Sequence, residues 1–135
     1  MTMFSVIKTD GMSLMSNSSK LTFDVARVNT GGAMNIATGE FTVPYGGTYA
    51  FYFSALMGNK QKIVQIQILK NESVLNYIFD NNHSEATKER HDNINYHWML
   101  NLSTGDVIRL HLDYGVLYTS TGVPVIFSGH LLHLS

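Results

Sequence analysis

Six histidines and one run of oxygen-bearing side chains carry most of the chain's chemical capacity, and their spacing limits what each can do. A metal-binding pair needs its histidines close together on one face. Here His91 and His97 flank a predicted strand start, His111 sits on the polar face of another strand, and His130 and His133 fall on opposite faces of the last. No two share a ligand spacing, so scattered surface or core histidines are the expected account. The segment 80–95, DNNHSEATKERHDNIN, is dense in carboxylate and amide oxygens. That donor set suits a hard cation such as Ca²⁺, although a polar loop is more often simply solvated. A Gly-rich phosphate loop, a Gly-x-Ser-x-Gly elbow and a His-Glu-x-x-His pair are all missing, so no enzyme is expected. Four Asn-x-Ser triplets, at Asn17, Asn71, Asn82 and Asn101, are candidate glycan acceptors and hint at secretion.

The elements that position these residues read as strands. Short alternating or apolar runs are separated by Gly, Asn, Asp and Ser clusters, and no helical period persists over eleven residues. The predicted strands are 4–8, 21–28, 40–43, 48–56, 63–69, 74–79, 95–102, 107–112 and 125–134. In KIVQIQILK, Val64, Ile66 and Ile68 oppose Gln65 and Gln67; in DVIRLHLD, Ile108, Leu110 and Leu112 oppose Arg109, His111 and Asp113. Two strands break the alternation: Tyr52 backs the face of Tyr49, Phe51 and Phe53, and Met99 backs that of Tyr96, Trp98 and Leu100. A strand apolar on both faces lies either under a loop or against another subunit. Nine or ten strands with no helix to cover them must form a sandwich or a barrel.

Composition narrows the partners. The chain has 135 residues, which fits one domain over 1–135, and a net charge of −1 with nine scattered Lys and Arg. Nucleic-acid binding is not expected from that charge. No apolar run is long enough to cross a bilayer, and the N-terminus shows neither a basic leader nor an apolar core of a signal. The absence of cysteine excludes a disulfide framework and a zinc-thiolate site.

The spacing of Phe23, Asn29, Phe41, Gly47, Tyr49, Phe51 and Phe53, closed by FSGHLL at 127–132, resembles the globular head domain of complement C1q and its relatives. MFSVIKT resembles that family's first strand, TGEFTVPYGGTYAFYF its central signature, LKNESV its middle hairpin and LSTGDVIRL, with Gly105 and Asp106, its turn before the penultimate strand. Phe127 and Gly129 fall in the closing motif. The resemblance covers nearly the whole chain in order. It implies an all-β, ten-stranded jelly-roll sandwich, similar to tumour necrosis factor ligands, that assembles as a homotrimer. By the same resemblance Asn29 and Asn35 hold a loop, and Tyr52, Trp98 and Arg109 are candidates for the trimer interface.

Four departures from the family pattern stand out. Met34 replaces an aromatic or leucine, Arg109 an aromatic, and His130 a Phe or Tyr, and no collagen-like Gly-x-y stem occurs. A buried Arg109 needs an anionic or stacking partner. Without a stem, the expectation is a head alone or a piece of a longer protein. Several relatives bind Ca²⁺ near the trimer apex, and the resemblance places that site at Asp92 and Asn93, with Glu85 beside the position of a second acid. The implied function is a secreted, non-enzymatic recognition module of innate immunity, presenting three copies of a loop surface to microbial envelope or glycan ligands. The alternative is a cytokine-like or scaffold trimer that binds a cell-surface receptor or another extracellular protein. Insertion into a membrane is not expected.

Overall fold

A computed structural model describes residues 2–9, 13–15, 19–57, 63–81, 93–119 and 122–135. These residues form thirteen strand segments: β1 (Met3–Lys8), β2 (Ser13–Met15), β3 (Ser19–Lys20), β4 (Val25–Asn29), β5 (Met34–Asn35), β6 (Glu40–Thr42), β7 (Gly47–Met57), β8 (Ile63–Lys70), β9 (Ser73–Asn81), β10 (Asn93–Leu102), β11 (Val107–Tyr114), β12 (Val116–Tyr118) and β13 (Val125–Leu134). No α-helix occurs among the described residues. The first sheet runs β2-β12-β7-β13-β1-β4, with β10 on the other side of β7; the second runs β5-β6-β11-β8-β9, with β3 also on β11. Every strand pairing among the described residues is antiparallel. Two antiparallel sheets packed face to face, with consecutive strands crossing between them, make a jelly roll.

Alternation drives the long strands. In β7 every second residue from Gly47 to Met57 is buried and those between are half-buried. Tyr49, Phe51 and Phe53 therefore point into the sandwich and Tyr52 away from it, as side chains on a pleated strand must. The core is aromatic at its centre: the Phe51 ring lies 5.4 Å from Trp98 and 6.1 Å from Phe127, and the Phe4 ring 4.9 Å from Phe41. Phe4, Gly129, Phe51 and Trp98 are directly opposite one another on β1, β13, β7 and β10. Gly129 makes room for its neighbours' rings, since a Cβ there would come within 2.6 Å of the Phe4 ring and 2.8 Å of Phe51. Met34 is buried in the same core, where a thioether fills the space an aromatic would take.

The predicted strand 21–28 is corrected. Leu21 and Phe23 are buried as the alternation requires, but the backbone from Leu21 to Asp24 pairs in neither sheet's regular ladder. Leu21 N donates to Leu110 O in the second sheet, Phe23 N to Ile36 O, and Asp24 N to Ile7 O in the first. The chain is crossing between sheets there, and a period of two continues through a crossover because it records burial rather than partner. The short β2, β3, β5 and β12 were not predicted.

The β8–β9 hairpin turns on Asn71 and Glu72, both left-handed, with φ of 51° and 69°. Two successive positive φ angles define the turn whose twist matches a tight hairpin.

Candidate interaction faces

The sandwich presents two outer faces, and their charges differ completely. Lys8 and Arg27 are the only Lys, Arg, Asp or Glu in the strands of the first sheet, which thus contain no carboxylate. Its outer face is built from register rows: His97, Tyr52, Ser128, Ser5 and Val28 in one; Met99, Ala50, His130 and Met3 in the next; Asn95, Ser54, Ile126, Ile7 and Val25 in a third. Polar groups here pair sideways. The Tyr52 hydroxyl donates to Asn95 Oδ1 (3.0 Å), Ser128 Oγ to Ser5 Oγ (3.3 Å) and Thr48 Oγ1 to Asn101 Oδ1 (2.6 Å). The His97 ring lies 4.6 Å from that of Tyr52. Ala50 is the smallest side chain of the middle rows, and a shallow recess of about 270 Å³ opens there, lined by Tyr52, His97, Ser128 and His130. Met99 is 66% exposed beside it.

The outer face of the second sheet is ion-paired. Arg109 reaches Glu72 through two parallel bonds, Nε to Oε2 (2.7 Å) and Nη2 to Oε1 (3.0 Å), while its Nη1 contacts His111 Nδ1 at 3.2 Å. Lys20 Nζ meets Glu40 Oε2 at 3.1 Å, and Gln65 Nε2 donates to Asp113 Oδ2 at 2.7 Å. The Arg109 guanidinium, bonding to Glu72, holds that carboxyl below its ordinary range. Burial and the neighbouring Arg109 cation push His111 below its ordinary value by disfavouring its charged form. At the edge of this sheet, β9 exposes Tyr77 (45%) and Phe79 (54%), directly opposite Gln67 and Gln65 on β8.

The three interface candidates point three ways. Tyr52 lies on the outer face of the first sheet, Arg109 on that of the second, and Trp98 faces inward against Phe51 and Phe127. The Trp98 Nε1–H is buried with no hydrogen-bond partner among the described residues. Phe23, Phe41, Tyr49, Phe51, Phe53 and Phe127 are all core residues. Asn29 closes its loop by donating Nδ2 to Met34 O (2.8 Å) and accepting Met34 N on Oδ1 (3.2 Å); Asn35 Oδ1 accepts Ala37 N (3.0 Å). Gly47 lies so close to β13 that a Cβ would meet His133 O at 2.3 Å. Gly105 and Asp106 form the turn before β11. Asp106 accepts from Asn71 Nδ2 (3.0 Å) and Ser103 N (2.8 Å), which hold its carboxyl below the ordinary range. Asn71 Oδ1 also accepts Val107 N (2.9 Å). The sequence signal for this clamp, Asn71 and Asp106, lay in the motifs LKNESV and LSTGDVIRL, but their contact across two hairpins was not predicted.

Of the calcium candidates, Glu85 and Asp92 lie outside the described residues, as do Asn17 and Asn82. Asn93 begins β10, exposed and opposite Leu56. One amide oxygen is too little for Ca²⁺, and among the described residues no three His, Asp or Glu side chains gather to hold a metal. No helix among the described residues is long and apolar enough to cross a membrane.

This architecture defines the chain as a jelly-roll module of the kind shared by C1q heads and tumour necrosis factor ligands. The globular domain of a zebrafish complement 1qA protein superposes with a TM-score of 0.72 over 100% of both chains at 20% identity. The Eiger TNF of S. frugiperda does so with 0.72 over 99% of this chain and 94% of its own at 11% identity. Residues 3–132 match the C1q domain, and the chain belongs to the C1q-domain family. Curated relatives include Caprin-2 of Danio rerio, 28% identical over 130 residues, and complement C1q tumor necrosis factor-related protein 6 of Rattus norvegicus, 29% identical over 134. The alignments cover 96% of this chain in each case, but only 14% of Caprin-2 and 49% of the rat protein. Domains of this family form homotrimers and act as recognition or signalling modules.

Proposed function

We propose that this chain is a secreted, non-enzymatic recognition module that acts as a homotrimer and binds microbial envelope or glycan ligands. The observation that carries the trimer is the outer face of the first sheet, where Tyr52, Met99, Met3 and Ala50 form an apolar and aromatic surface with no ion pair among the described residues. Packing that face against a different surface of the next copy gives a ring that closes by rotation. On the ligand side, Tyr77 and Phe79 offer ring faces beside the amides of Gln67 and Gln65, a combination that suits the alternating C–H faces and hydroxyls of a sugar. Three weak copies then gain affinity through valency. Calcium held by Glu85, Asp92 and Asn93 belongs to the same proposal.

The test is binding of the purified protein to a panel of bacterial envelope components and glycans, in Ca²⁺ and in chelator, with mass determined by light scattering. A trimer that binds a defined glycan class, and loses it on Tyr77→Ala with Phe79→Ala, is expected. The second reading, a trimer recognising a receptor or other protein, is favoured by the same exposed rings at a sheet edge. A blank panel with capture of a protein partner, lost in the same double variant, would replace the first reading by the second.

A further inference from the structure

We infer that self-association of this chain is acid-sensitive, because His97 and His130 sit on the proposed subunit face, whose strands carry no carboxylate to receive their charge. The inference rests on the trimer reading above and concerns what regulates it. His97 on β10 is opposite Tyr52, and His130 on β13 is opposite Ala50 on β7 and Met3 on β1. Both are exposed in the single chain, so a partner that covers this face takes both out of water. The groups facing them from the neighbouring strands are Tyr52, Asn95, Ser128, Ser5 and His133. The fixed charges in the strands of this sheet, Arg27 on β4 and Lys8 at the end of β1, are also cations.

Among the described residues a second copy offers no carboxylate without a partner of its own. Each of the five carboxylates with a described side chain is already engaged: Asp24 by Thr9, Glu40 by Lys20, Glu72 by Arg109, Asp106 by Asn71 and Ser103, and Asp113 by Gln65. Neutral imidazole is readily buried, whereas imidazolium placed against an apolar partner without a counter-ion is costly. Imidazole takes up its proton in the window just below neutral pH. In a ring of three copies the penalty is repeated at each interface.

Sedimentation velocity at about pH 7.5 and about pH 5.5 tests this window, with near-UV circular dichroism of Trp98 and its aromatic neighbours as the check that subunits stay folded. The wild type is expected to be trimeric at the higher pH and to associate roughly a hundredfold more weakly at the lower. His97→Gln with His130→Gln is expected to stay trimeric at both. Wild type that is trimeric at both values, a double variant that dissociates like wild type, or loss of the aromatic signal at the lower pH overturns the inference and leaves the trimer standing. A monomer at both values overturns the trimer reading as well. Should the double variant fold poorly, the wild-type association constant titrated with pH decides alone: the inference requires that proton uptake accompany dissociation.

Discussion

The two outer faces of this sandwich are made by the same strand geometry and treated in opposite ways. On the second sheet each described charge that faces outward has found a partner within its own chain. On the first, the strands carry no acid at all, and the polar groups that remain bond sideways within the face. A surface whose charges are satisfied internally can stay in water. A surface from which acids are missing and on which Tyr52, Met99 and Met3 stand exposed or half-exposed is prepared for contact.

The contrast breaks most sharply with one cation moved between faces. Ala50→Lys in the floor of the recess is expected to weaken trimer formation by about a hundredfold or more, because the added charge must be buried beside His97 and His130. Gln67→Lys on the second sheet is expected to leave association unchanged, and sedimentation of the pair gives the difference directly. A smaller effect belongs to the clamp that holds the second face together. Asn71→Ala removes the acceptor of Val107 N and a donor to Asp106, and is expected to cost about 1–3 kcal/mol in urea unfolding without altering the oligomer.

Acid should separate the faces a third way. His111 is depressed below its ordinary value of 6.5, so the unfolded chain binds its proton first. The stability contributed by neutral His111 is complete above pH 6.5 and is lost as the pH falls from there toward the folded value. His111→Gln is expected to flatten that part of the urea midpoint against pH. Glu72 and Asp106, depressed from 4.5 and 3.8, lose their contribution only further down, as the pH falls through their folded values. The smallest expected effect is that of calcium: about 1 mM should raise Tm by about two degrees if Glu85, Asp92 and Asn93 share an ion, and equal melting in chelator would remove that reading.

Much of the fold was legible because burial leaves a period of two. The strands carrying KIVQIQILK and DVIRLHLD fall where their alternation put them, and the aromatic set Tyr49, Phe51 and Phe53 is core. The period does not name a partner, which is why residues 21–28 read as one strand although the chain changes sheets between Leu21 and Asp24. Nor does it name a face for a residue that is apolar on a two-sided strand. Trp98 and Tyr52 were both candidates for the interface, yet the register sets Trp98 opposite Phe51, facing Phe127, and Tyr52 opposite His97, on the outer face. Arg109 shows the remaining limit: the need for an anion was readable, but Glu72 comes from a hairpin turn 37 residues earlier. Segments of two or three residues such as β5 are fixed by tertiary hydrogen bonds and leave no pattern to find.

The pairing of Met3 with His130, at the start of β1 and near the end of β13, has a mechanical consequence. Both ends of the described chain leave the first sheet at the same pole, on neighbouring antiparallel strands. A load drawn through them pulls along the hydrogen bonds between β1 and β13 and opens them one at a time, like a zip, instead of shearing them together. A subunit tethered through both ends would yield at low force from that seam, while a pull on β1 toward the opposite pole would shear the β1–β13 hydrogen bonds all together.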